Sequence, residues 1–262
     1  MSAENPFSDT KAVERQEFEK LDSYLKGLDR DGWLETSYCT DWPVLSVVSH
    51  VGSASRIGKS RLETWVNGAP PMPREDMLAL WAKFDSLTPD TMIHEYLSAV
   101  GEYLAAESSI ADDDAAKEVE GFGGKRPIWA YQLGRLWELA LHAWDVYVTR
   151  DKNAKVAQGA IDVIAPRMNY MGATMDRARI AETPHVQFSM QGPNVTWHVD
   201  ASGERPRLVE GEDPEATVIV EGPAEEVVRF LAGRHAVVGA KPQLHAAKGS
   251  RDDLAKVRRA FR

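Results

Sequence analysis

Apolar residues recur at three- and four-residue steps through the first two thirds of the chain and at two-residue steps through much of the remainder. The first period belongs to helices buried along one face and the second to half-buried strands, so the change predicts a helical domain followed by an α+β domain. Phe18, Leu21, Tyr24, Leu25 and Leu28 outline a first helix over roughly 11–28, ended by Gly27 and the turn Asp29-Arg30-Asp31-Gly32. Pro43 suits the first turn of a second helix, with Thr40 or Asp41 as cap and Val44, Leu45, Val47, Val48 and Val51 as its buried side, running to about Trp65. Gly68-Ala69-Pro70-Pro71-Met72-Pro73 breaks that pattern. Beyond it Met77, Leu78, Trp81 and Phe84 mark a third helix ending near Leu87, and Thr88-Pro89-Asp90 opens a fourth with Met92, Tyr96, Val100 and Leu104 on one face. The polar, glycine-bearing stretch Ser108 to Arg126 reads as a long mobile loop.

The strongest helical pattern runs from Ile128 to Arg150, and Val156 to Met175 reads as a further helix with a break at Pro166. After Thr183-Pro184, Val186, Phe188 and Met190 alternate with polar residues, Gly192-Pro193-Asn194 turns the chain, and Val195, Trp197 and Val199 alternate in their turn, which predicts a hairpin with one apolar face. Pro206–Val209 and Ala216–Glu221 are further strand candidates, Pro223 opens a helix that buries Val227, Val228, Phe230 and Leu231, and a basic helix at about Arg251–Phe261 ends the chain. The expected organisation is a helical bundle over residues 1–180 and a small α+β domain over 184–262.

Composition narrows the function classes. Across 262 residues, 43% hydrophobic, 31 Lys and Arg stand against 40 Asp and Glu, a formal net charge of −9. That balance argues against binding to phosphate backbones or anionic membranes, which depends on clustered cations. Cys39 is the single cysteine, so a metal site within one chain must use His and carboxylates. No stretch has the apolar length of a membrane span or a secretory signal, so the expected location is cytoplasmic.

One stripe of the apolar helix from Ile128 is polar: Tyr131, Arg135, Glu138, His142, Asp145 and Thr149, at steps of three and four that keep them on one face. Glu138 and His142, four apart, have the spacing at which a carboxylate and an imidazole converge on one metal ion, although a solvent-facing stripe would look the same. His50 has Ser46, Val47, Ser53 and Ala54 as helix neighbours, mostly small groups that leave room beside an imidazole. Such a residue is either a third ligand or a hydrogen-bonded core histidine. His94, His185, His198, His235 and His245 sit near a helix start, on the polar side of the hairpin, or in the Gly- and Lys-bearing region near the end.

The segment Tyr38-Cys39-Thr40-Asp41-Trp42-Pro43-Val44, continuing through Ser49-His50-Val51, resembles the N-terminal signature of the mycothiol-dependent maleylpyruvate isomerase family, in which a Trp opens a helix and a His follows eight residues later. Glu138-x3-His142-x-Trp144-Asp145 resembles its second signature, and Phe230-Leu231-Ala232-Gly233-Arg234 is similar to part of its C-terminal domain. The resemblance implies a DinB-like four-helix bundle followed by a small α+β sterol-carrier-like domain. It also implies His50, Glu138 and His142 as ligands of a divalent metal, usually zinc, with the open fourth position of a catalytic site. That position would take the thiol of mycothiol, which the metal holds as its thiolate. With maleylpyruvate, the thiolate would add to the cis double bond, the adduct would rotate, and elimination would give fumarylpyruvate.

By the same resemblance Arg234 would grip the carboxylates of a diacid substrate, unless it is a surface arginine at a helix end. Arg56 and Arg135 are further candidates for that work. Trp42 and Trp144 either wall the pocket or pack the core, and Asp145 either orients a metal-bound histidine or faces water. Cys39 is given no role. Ser46 departs from the acidic residue that many members carry before the metal histidine, and the loop over Ser108–Arg126 could reshape the substrate entrance. The leading expectation is a zinc- and mycothiol-dependent isomerase or S-transferase of a small, anionic electrophile, as monomer or homodimer. The competing ones are a hydrolase using metal-bound water, with Asp145 or a carboxylate outside the signatures as its acid/base group, and a non-enzymatic module that binds a small apolar molecule.

Overall fold

In a computed structural model that describes residues 5–39, 41–121, 124–170, 175–182, 185–203, 205–235, 240 and 243–261, the chain divides into two units, Met1–Ala154 and Lys155–Arg262. The first is built on four long helices, α1 (Phe7–Lys26), α3 (Val44–Asn67), α5 (Pro89–Ser108) and α7 (Ile128–Tyr147), with the short α2 (Arg30–Leu34), α4 (Arg74–Asp85) and α6 (Asp112–Ala115) between them. α3 lies against α5 and α7, and α1 against α7 and α5, so each long helix buries its apolar stripe on two neighbours. Met92, Tyr96, Val100 and Leu104 of α5 are all buried, as their spacing predicts.

Local chemistry sets the helix ends. Gly68, at φ 70°, closes α3 in the left-handed region, and its N–H and that of Ala69 donate to Thr64 and Glu63 carbonyls. Thr88 and Thr91 form a reciprocal capping box at the start of α5. α3 starts one residue later than expected, with Pro43 as its N-cap and no capping side chain. Asp41 therefore does not cap it, and Thr40 lies outside the described residues. α1 starts four residues earlier than its apolar pattern suggested, because Phe7 and Thr10 are also buried.

Two expectations are corrected here. The stretch Ser108–Arg126 contains α6 and an antiparallel hairpin, β1 (Glu118–Gly121) and β2 (Gly124–Pro127), where a mobile loop was expected. Trp65 donates its indole N–H to the Glu120 carbonyl at 3.2 Å, and the Tyr131 hydroxyl donates to Gly124. Glu, Lys and Gly are poor strand formers, so tertiary anchoring decides this hairpin against local preference. The apolar residues of α4 are also misjudged: Phe84 is buried, whereas Leu78 and Trp81 are 48% and 43% exposed. α4 is held at its C-terminal end, where Phe84 fits the notch left by Gly52 of α3.

In the second unit a mixed sheet runs in the order β5-β4-β3-β6-β7, formed by β3 (Val186–Gln191), β4 (Val195–Asp200), β5 (Arg207–Glu210), β6 (Val218–Pro223) and β7 (His245–Lys248). β3 pairs parallel with β6 and antiparallel with β4 in the expected hairpin. The helical segments of this unit are α8 (Gln158–Ile164), a 3₁₀ turn (Ala165–Tyr170), α9 (Arg177–Ile180), α10 (Ala224–Leu231) and α11 (Arg251–Ala260). Phe188, Phe230 and Phe261 pack with ring centroids 5.5–6.0 Å apart and bring sheet, α10 and the end of α11 together. Residues 155–180, assigned to the bundle from their helical period, group with this unit. The Trp197 indole donates to the Ala165 carbonyl at 2.9 Å, and Glu225 accepts from the Val156 N–H at 3.0 Å. β7 was not foreseen; its sequence, His-Ala-Ala-Lys, has no strand signal. No helix among the described residues is long and apolar enough to cross a membrane.

The bundle core also holds charge. Glu14, Glu107 and Arg135 are 0%, 1% and 8% exposed. The Tyr103 hydroxyl lies 3.1 Å from Glu14 Oε2 and 3.3 Å from Glu107 Oε1, and Gln132 Nε2 donates to Glu107 Oε1 at 2.6 Å. Burial pushes both carboxyls above the usual range, and the Glu107 charge pushes Glu14 further.

Two expected outcomes follow from this packing. A Cβ on Gly52 would sit 2.5 Å from Phe84 Cε1, so Gly52→Ala should destabilise the fold by about 1–3 kcal/mol in denaturant titration, with an unchanged midpoint contradicting the notch. The raised carboxyls keep protons in the folded state that the unfolded chain releases above about pH 4.5, so stability should fall as pH rises beyond that point. Glu107→Gln removes one of these groups, and urea midpoints taken between about pH 5 and 8 should become less pH-dependent than those of the unaltered protein. An equal slope would mean that Glu107 is already ionised when folded.

Candidate metal centre

The polar stripe of α7 is turned partly inward. Asp145 and Arg135 are buried and His142 is half-buried; Glu138, with 52% of its side chain exposed, is the member that reaches furthest toward solvent. Because α3 and α7 run side by side, His50 meets His142 edge to face with ring centroids 4.9 Å apart. Trp42, just ahead of α3, stacks on His142 at 6.3 Å and tilts against His50 at 5.5 Å. Burial, reinforced by nearby His142, pushes the His50 imidazole down to about 4, while Glu138 and Asp85 act in the opposite direction.

Asp145 holds the far side of His142. Its Oδ2 lies 3.0 Å from His142 Nδ1 and accepts from the Cys39 thiol at 3.3 Å. The turn that carries Cys39 is hooked to the same helix: Tyr38 N–H donates to the Asp145 carbonyl at 3.1 Å, Trp42 N–H to the Cys39 carbonyl at 2.6 Å, and Ser37 N–H to the Trp42 carbonyl at 3.0 Å. Among the described residues, the potential ligand atoms of Cys39, His142 and Asp145 lie within 4.8 Å of one another, so the structure brings the cysteine into a cluster that was expected to hold only His and carboxylates; of the expected trio it contains His142 but neither His50 nor Glu138. Cys39 was passed over because a lone thiol carries no spacing signal. Its position three residues before Trp42 was the available hint.

The remaining candidates are placed as follows. Arg135 points its guanidinium into the bundle, where Nη2 donates to the Val51 carbonyl at 3.0 Å and to Ser55 Oγ at 2.8 Å. Arg56 pairs across the surface with Glu102 of α5 and donates to Ser98 Oγ at 3.0 Å. Trp144 is buried against Tyr38, with ring centroids 4.8 Å apart, and its indole N–H donates to the Ala154 carbonyl. Arg234 lies in the second unit just after α10, where Nη1 donates to the Ala232 carbonyl at 2.8 Å. Ser46 brings no charge toward His50, but Asp85 at the end of α4 does, held by a 2.5 Å hydrogen bond from the neighbouring Ser49. The β1–β2 hairpin docks on Tyr131, eleven residues before His142 and so about 16 Å away along α7.

Residues 15–147 match a family model described as the mycothiol maleylpyruvate isomerase N-terminal domain. Similar solved structures include the mycothiol-dependent maleylpyruvate isomerase, at 15% identity and a TM-score of 0.65, and a histidine-to-alanine mutant of the mycothiol-dependent maleylpyruvate isomerase, at 17% and 0.63. Both comparisons cover 91% of this chain and 95% of the other, and at these identities the likeness is one of fold. A search of curated proteins gives no match.

Proposed function

Because this chain belongs to the mycothiol maleylpyruvate isomerase family, we propose that it is a metal- and mycothiol-dependent enzyme acting on a small electrophile, by cis–trans isomerisation of the maleylpyruvate type or by thiol transfer. The observation that carries the proposal is the edge-to-face pair His50–His142 under Trp42, one imidazole from each of two neighbouring helices. Two imidazoles, joined by the carboxylate of Glu138 one helical turn from His142, would form a His2Glu donor set, for which zinc is the first choice among divalent metals. Bound together, the metal and mycothiol would supply a thiolate at neutral pH, the nucleophile that adds reversibly to an activated double bond.

The chain's own residues prepare that site. Asp145, buried and 3.0 Å from His142 Nδ1, orients the ring and leaves Nε2 as the donor atom. Cys39 shares the same carboxylate oxygen and helps to hold it in place, a supporting part that sequence reasoning did not assign. Trp42 lies against both imidazoles and forms one wall of the site, with 38% of its surface open to solvent. Arg234 retains its proposed role toward the carboxylates of an anionic substrate, which a chain of charge −9 could attract only through local cations.

Purified protein should carry about one equivalent of divalent metal by elemental analysis and convert maleylpyruvate only when mycothiol is added. His50→Ala, Glu138→Ala and His142→Ala should each lose most of the metal and nearly all activity. Metal-free protein with full activity, or turnover without any low-molecular-weight thiol, would exclude the proposal, and following thiol conjugates in the same assay separates transfer from isomerisation. Arg234→Lys should raise KM for the anionic substrate roughly tenfold, because an ammonium cannot reproduce a forked contact. An unchanged KM would remove Arg234 from substrate binding.

A further inference from the structure

We propose that Arg135 is a positioning residue for this centre: its buried guanidinium ties the backbone of α3, one residue beyond His50, to the turn of α7 that carries Glu138, and thereby sets the spacing and aim of the donors. The proposal rests on the metal reading above and concerns residues that never touch the substrate.

Arg135 is committed on several sides. Nη2 donates to the Val51 carbonyl at 3.0 Å and to Ser55 Oγ at 2.8 Å, and Ser55 Oγ donates to the same carbonyl at 2.9 Å, closing a three-cornered contact on α3. Nη1 lies 3.8 Å from Glu138 Oε2, and Nε lies 3.9 Å from Glu14 Oε1 of α1. The rings of Phe18 and Tyr103 stand 5.8 and 5.6 Å from the guanidinium carbon and leave it little room to swing. A planar fork held this way is a fixed charge in a fixed place.

Glu138 is the donor that most needs such a neighbour. His50 is constrained by Trp42 and His142, and His142 by Asp145, whereas the Glu138 carboxylate is half exposed. An exposed glutamate samples several rotamers, and ordering it for coordination costs side-chain entropy. The Arg135 charge one turn back, with Nη1 3.8 Å from Glu138 Oε2, biases the carboxylate toward the helix face that also carries His142. The Val51 tether acts on the other partner, because a shift of α3 along α7 would move His50 and break the Arg135 bond together. The buried environment also makes Arg135 a poor substrate contact, since its Nη2 is already committed to the Val51 carbonyl and Ser55 Oγ.

The test is a Co2+ titration of metal-free protein, followed by visible absorption, on the unaltered chain, His142→Ala, Arg135→Lys and Ser55→Ala, with thermal melts as a folding control. Arg135→Lys keeps a positive charge but not the fork, and should weaken Co2+ binding about 10- to 100-fold and move the d–d bands. Ser55→Ala removes one corner of the contact without stranding a buried charge. It should weaken binding by a smaller factor, with bands moved in the same direction, and it decides the matter if Arg135→Lys does not fold. Bands lost in His142→Ala but unchanged in affinity and position in the two tether variants would overturn this inference and leave the metal reading standing. A lower melting temperature with an unchanged spectrum would do the same, by reducing Arg135 to a structural role. An unaltered chain that gives no Co2+ bands would overturn both.

Discussion

The antiparallel seam of α3 against α7 brings His50 beside His142, and every other feature of the candidate centre depends on that contact. The seam is specific as well as adhesive. Apolar residues such as Val47, Val51, Leu136 and Leu139 are buried along the two helices and supply the burial, but side chains of similar size tolerate more than one axial register. A guanidinium that must find one carbonyl and one hydroxyl does not, so the polar contacts of Arg135 with Val51 and Ser55 select the register in which the imidazoles face each other.

That selection carries a cost. Placing Arg135, Glu14 and Glu107 in the bundle removes charge from water, and the protein offsets it by neutralisation and by hydrogen bonds from Tyr103 and Gln132. An apolar replacement of the whole cluster could be as stable, since buried ion pairs rarely add net stability. Its presence accords with a demand for geometry near the candidate centre, where a displacement of an ångström matters more than a kilocalorie.

Around the two histidines, support comes from elements distant in sequence. The turn ahead of α3 contributes Trp42 and Cys39 and is hooked to the Asp145 carbonyl; the end of α4 contributes Asp85, moored through Phe84 and Ser49. The short helix α4, which shows apolar residues to solvent, is thus placed by its last turn and not by its apolar face. The second unit is organised separately, by a sheet whose central β3 pairs in parallel with β6 and by the aromatic cluster of Phe188, Phe230 and Phe261.

Much was legible in the chain because it is written in short-range periodicity. The four long helices, the β3–β4 hairpin and the helix after Pro223 each follow from spacing within a few residues, and capping chemistry marks several of their ends. The family resemblance likewise rested on local signatures, around Trp42 to His50 and Glu138 to Asp145. Elements without such a signal were not legible: the β1–β2 hairpin, β7, and the grouping of residues 155–180 with the sheet exist because distant residues hold them. The same limit applies to the centre. Sequence spacing determined that Glu138, His142 and Asp145 share one helix face, but a stripe of polar residues looks alike whether it meets water or another helix. Only the tertiary structure decided that Arg135 and Asp145 of the stripe turn inward, that Cys39 leans on Asp145, and that Arg135 reaches for α3, because those are contacts between segments whose separation along the chain carries no information about their distance in space.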